Sequence, residues 1–166
     1  LIRSYLFKSI VVMKLFMAKL AVDVVILPPE DIMAKAIQMN KKLTEEFGSR
    51  IVLVGQERLP HVSLEMGCID KKEVSAINKT LGEISGDLLP INLIISGMSS
   101  AKNIRGEVIS GFDIGKNDKL QALHETAVKA LNRFSIAASK EDFSDHHVDE
   151  ISLAWVNNYF TESSFK

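Results

Sequence analysis

The stretch Arg58–Asp70, RLPHVSLEMGCID, carries His61 and Ser63 two residues apart at the head of an alternating apolar run. In an extended chain such residues share a face and lie about 7 Å apart, so both can address one phosphate group. A neutral imidazole takes or gives a proton near neutral pH. A serine hydroxyl can donate to a phosphoryl oxygen as charge builds on it. The pair serves one end of a phosphodiester cleavage. The attacking water needs a base and the leaving oxygen an acid on the opposite side, and one histidine occupies one side only. The same spacing also suits a histidine that caps a strand behind Pro60 and a serine that faces solvent, as short motifs often prove to be.

The other histidines fit such chemistry less well. His124 lies in LQALHETAVKAL and reads as a boundary residue of a packed helix face. His146 and His147 sit among Asp142, Asp145, Asp149 and Glu150. No helical or strand register converges these side chains, so a solvated loop is expected there rather than a metal site. Cys68 is the single cysteine, which excludes an internal disulfide and a thiolate cluster. It points to a reducing, cytoplasmic setting without a metal. SGFDIGKND carries Gly111 and Gly115 but lacks the G-K-[ST] of a phosphate loop. No cofactor is expected.

The elements that must hold His61 and Ser63 follow from hydropathy patterning. Val22–Leu27, VDVVIL, is a β-branched run closed by Pro28 and Pro29, and predicts a buried strand. Glu30–Phe47 has apolar positions at helical spacing, acids at its start and Gly48 at its end. Ile51–Val54 predicts a short strand. In the next strand Val62, Leu64, Met66 and Cys68 are expected on the apolar face, with His61, Ser63, Glu65 and Gly67 on the polar one. Lys71–Ile84 reads as a second helix, and Ile91–Ser100 with Gly106–Gly115 as a hairpin. Asp118 to about Phe134 reads as a third helix. Ile151, Trp155, Val156 and Tyr159 suggest a last short one, although Ile151, Leu153 and Trp155 also alternate as a strand would. Helices among hairpins predict an α+β fold with a largely antiparallel sheet and flanking helices, and disfavour a doubly wound parallel one.

A chain of 166 residues has room for one domain with a real core. Its 20 basic and 21 acidic side chains nearly cancel, so no whole-molecule pull on nucleic acid is indicated. A membrane span needs about 18 apolar residues in a row, and Arg3, Lys8, Lys14 and Lys19 interrupt the apolar N-terminal stretch. The same lysines break any signal-peptide centre. Leu1 opens the chain, and Met13 and Met17 lie just ahead of the first clear strand. Residues 1–16 are therefore expected to be an extension outside the fold, with residues 17–166 as the domain.

The context LPHVSLEMG, following a unit that opens with VDVVILPPEDI, resembles the first half of the two-histidine phosphoesterase superfamily, the 2′-5′ RNA ligase-like proteins. The resemblance covers about Val22 to Lys166 and is specific at Pro60–Leu64. It implies two pseudo-symmetric lobes around a cleft, each with one H-x-[ST] motif, and two histidines facing one another. By that resemblance His61 is one of the acid/base pair and Ser63 a phosphate-binding hydroxyl. The substrate would be an RNA end or a small cyclic nucleotide.

The second motif departs from the family pattern. His147-Val148-Asp149 has an aspartate in the hydroxyl's place, and Glu150-Ile151-Ser152-Leu153 has glutamate in the histidine's. In relatives a segment like ISLAWVNNYFTESSFK precedes the second motif. The expectation is a chain that stops short of it, with an incomplete second lobe and little activity in this form. The alternative expectation is a non-catalytic module that binds nucleotide or RNA phosphate. The sequence leaves the oligomeric state open.

Overall fold

The computed structural model describes residues 3–7, 9–12, 19–48, 51–54, 58–102, 106, 108–143 and 148–159. In chain order the elements are β1 (Arg3–Phe7), β2 (Ser9–Val12), β3 (Lys19–Leu27), α1 (Glu30–Phe47), β4 (Val62–Asp70) and α2 (Val74–Leu88). They continue as β5 (Ile91–Lys102), β6 (Val108–Ile114), α3 (Asp118–Asn132), β7 (Ser135–Ile136) and α4 (Glu150–Asn158). Short 3₁₀ turns at Lys71–Glu73 and Lys140–Asp142 complete the set. All strand pairings are antiparallel. The fold is α+β, with one sheet ordered β1-β5-β6 and another ordered β2-β3-β4-β7.

Helices α1, α3 and α4 begin where their sequence supplies a start. Pro29 precedes α1 with its carbonyl accepting from the Ile32 and Met33 amides, both at 2.9 Å. Glu30 and Asp31 put negative charge on the positive end of the helix dipole. Gly48 takes a positive φ of 70° and closes α1 by donating its N–H to Thr44 O at 3.0 Å. Asn117 Oδ1 accepts from Leu120 N at 2.8 Å to cap α3, and Asp149 Oδ1 accepts from Ser152 N at 2.7 Å to cap α4.

The core lies between the sheets and helices α2 and α3. Val24 and Ile26 of β3, Leu64 of β4, Ile77 and Leu81 of α2, Leu93 of β5 and Leu123 of α3 are all buried in one cluster. The apolar stripe of α3 thus covers the strand that carries Ser63, and that strand cannot shift register without exposing Leu64.

Three expectations need correction. Residues 1–16 do not stand wholly outside the fold, because β1 pairs with β5 and β2 pairs with β3, adding a strand to each sheet. Unpaired edges of both sheets offer backbone groups that a flanking apolar segment can satisfy. Ile51–Val54 does not form a ladder strand. It is tied to α1 instead, with Asn40 Nδ2 donating to Ile51 O at 2.9 Å and Leu53 N donating to Asn40 Oδ1 at 2.8 Å, and Val54 makes one isolated bridge with Arg58. The third concerns the polar face of β4.

Candidate functional site

The register between β3 and β4 runs Asp23↔Met66 and Val24↔Glu65, then slips to Val25↔Ser63. Leu64 is the extra residue of a β-bulge, and a bulge turns the alternation of its strand by one place. Directly opposed residues share a face of the sheet. Ser63 therefore emerges on the face of Asp23 and Val25, while Glu65, opposite the buried Val24, turns toward the core. The expected polar row of His61, Ser63, Glu65 and Gly67 is broken at the bulge. The buried residues of the strand are Leu64, Glu65, Gly67, Cys68 and Ile69, which lie on both of its faces.

His61, in the loop just before β4, has both ring nitrogens engaged. Nδ1 lies 2.7 Å from Leu59 O, and a carbonyl only accepts, so Nδ1 carries a hydrogen. Nε2 lies 3.3 Å from Asp23 Oδ2. Ser63 Oγ donates to the same Asp23 Oδ2 at 2.8 Å. With an acceptor at each nitrogen the imidazolium is the form that fits. The bond to Asp23 raises the His61 pKa above the ordinary 6.5, burial works against it, and the Leu59 carbonyl adds to the rise. The side chains of His61 and Asp23 are 31% and 21% exposed, so this pair sits at the surface edge of the sheet.

Asp23 was not singled out by its sequence context, although an acid inside the β-branched run VDVVIL was the available signal. Glu65 was expected on the wet face. It is 2% exposed, and neither carboxylate oxygen has a hydrogen-bond partner among the described residues. Burial, and then the charge of Asp23, push its pKa up to about 8. Burial thus favours the protonated, neutral form of Glu65. His124 is 1% exposed, deeper than a boundary residue, and its Nδ1 donates to Leu64 O at 2.7 Å. A bulge takes backbone groups out of the ladder, and His124 supplies a donor to the carbonyl of the bulged residue. It braces α3 against the site strand.

His146 and His147 lie outside the described residues. Among the described residues no three His, Cys, Asp or Glu side chains are placed to share a metal ion. Cys68 is buried on β4, and burial pushes its thiol up to about 11, with Asp142 adding to the rise. That thiol is no nucleophile in the folded chain. Among the described residues no helix is long and apolar enough to cross a membrane.

An α+β scaffold with a histidine and a serine converging on one carboxylate oxygen is what the chain presents. No protein-family model matches it, and no curated protein or solved structure matches it significantly.

Proposed function

We propose a role in phosphodiester chemistry on RNA-type substrates, opening 2′,3′-cyclic phosphates or handling 2′-5′ linkages, with His61 as an acid/base group, Ser63 as a phosphate-holding hydroxyl, and turnover weak or absent in this chain because an intact second histidine motif is missing. One observation carries the reading. A single anionic oxygen, Asp23 Oδ2, is met by His61 Nε2 at 3.3 Å and Ser63 Oγ at 2.8 Å. A phosphoryl oxygen at that point would meet the same two donors. Nδ1 is fixed on Leu59 O, which leaves Nε2 as the working nitrogen.

In this scheme the Nε2 proton goes to the ribose oxygen as its bond to phosphorus breaks. Water forms the new bond to phosphorus and gives its proton to a second acid/base group. The second motif of the family that the sequence resembles would supply that group, and because this sequence departs from that motif the chain as given is expected to turn its substrate over weakly. The reaction needs no cofactor. We place the protein in the cytoplasm, in keeping with its lone cysteine.

A second reading is favoured by the engagement of Nε2 with Asp23: a module that binds a nucleotide phosphate without turning it over. Calorimetric titration with a 2′,3′-cyclic nucleotide, followed by phosphorus NMR of the mixture, separates the two. Binding weakened by about tenfold or more in His61→Ala, with conversion to the monophosphate by the wild type, supports the enzyme. The same binding without conversion supports the module. Equal binding by wild type and His61→Ala removes His61 from both.

A further inference from the structure

Among the described residues Asp23 is the charged side chain that meets both donors, and its place raises the question of how any external anion enters. Oδ2 receives Ser63 Oγ and faces His61 Nε2, while Oδ1 is buried with no hydrogen-bond partner among the described residues. We infer that Asp23 is a built-in competing anion and a positioning residue: its carboxylate occupies His61 Nε2 and Ser63 Oγ and must swing off both before a phosphate oxygen can take its place. The inference rests on the phosphate reading of the site.

The surrounding charges are consistent with a single occupant. From β3 the site is faced by Asp23, from the loop before β4 by His61 and the Leu59 carbonyl, and from β4 by Ser63, with Glu65 close behind. Burial and then the charge of Asp23 favour the neutral form of Glu65, which disfavours a second negative charge beside Asp23. His61 and Asp23 thus form a self-neutralised couple. An entering phosphate would bring its charge against the Asp23 carboxylate unless that group moves. The Asp23 side chain is 21% exposed although its Oδ1 is buried, so the carboxylate must turn about its side-chain torsions to reach solvent. Once it has done so, His61, with its Nδ1 still on Leu59 O, is left with Nε2 facing the incoming oxygen.

The test is a proton NMR titration of the His61 ring, assigned with His61→Ala, in the wild type and Asp23→Asn. Inorganic phosphate is the probe. The expected result has two parts: the His61 midpoint falls in Asp23→Asn, and phosphate binds about fivefold more tightly to that variant at a pH below the measured midpoints of both proteins. An Asp23→Ser variant, which keeps an uncharged oxygen near Ser63, repeats the measurement if the asparagine chain does not fold. An unchanged midpoint, or phosphate affinity unchanged or lower in the variants, overturns the inference. A midpoint that falls while phosphate perturbs His61 in neither protein overturns the competition together with the phosphate reading, which distinguishes the two failures.

Discussion

Glu65 offers the sharpest physical test of the strand geometry, because a glutamate on the wet face of β4 and one turned into the core differ in how stability follows pH. Its pKa stands at about 8 in the fold, raised by burial and then by Asp23, against the ordinary 4.5. The folded chain therefore keeps a proton on Glu65 through a range in which the unfolded chain has lost it. A raised folded pKa gives stability that is fully present below about 4.5 and is lost as pH rises toward about 8. Within that window one proton corresponds to about 1.4 kcal/mol per pH unit. Glu65→Gln has no such proton, so between about pH 5.5 and about pH 7.5 the wild type should lose about 3 kcal/mol relative to the variant. Urea unfolding at several pH values reads the difference directly. The variant carries a constant penalty of about 1–3 kcal/mol for a buried amide that lacks partners, so the slope and not the offset is diagnostic. The His61 titration is present in both proteins and cancels. Parallel stability curves would refute a core-facing Glu65.

Two other expectations test the frame around the site. Cys68, buried and with its thiol raised to about 11, should resist alkylation at neutral pH until the chain unfolds, and rapid labelling of the native protein would contradict its placement. Asn117→Ala, which removes the acceptor for Leu120 N, should cost about 1 kcal/mol by denaturant unfolding; an unchanged midpoint would mean that α3 starts elsewhere.

The helices and the β5–β6 hairpin were legible because their apolar spacing and stop residues are local signals. His61 and Ser63 were legible as a pair for the same reason. The partner that joins them was not, since Asp23 lies forty positions before Ser63 and reaches it only through the β3–β4 register. Glu65 was misplaced because strict alternation was carried through Leu64, and a bulge is fixed by how two strands pair rather than by either strand alone. The two residues of β7 were too short to leave a pattern, and β1 and β2 were hidden by the lysines that interrupt their segment. His124 was placed on the packed face correctly, but its bond to a bulged carbonyl could not be read before the bulge was known.

The most direct test of the central claim is a crystal structure of the protein with a bound nucleoside 2′-phosphate. One phosphoryl oxygen is expected within hydrogen-bond distance of both His61 Nε2 and Ser63 Oγ, with His61 Nδ1 still on Leu59 O and the Asp23 carboxylate rotated away. A phosphate held elsewhere, with Asp23 still against both donors, would contradict it.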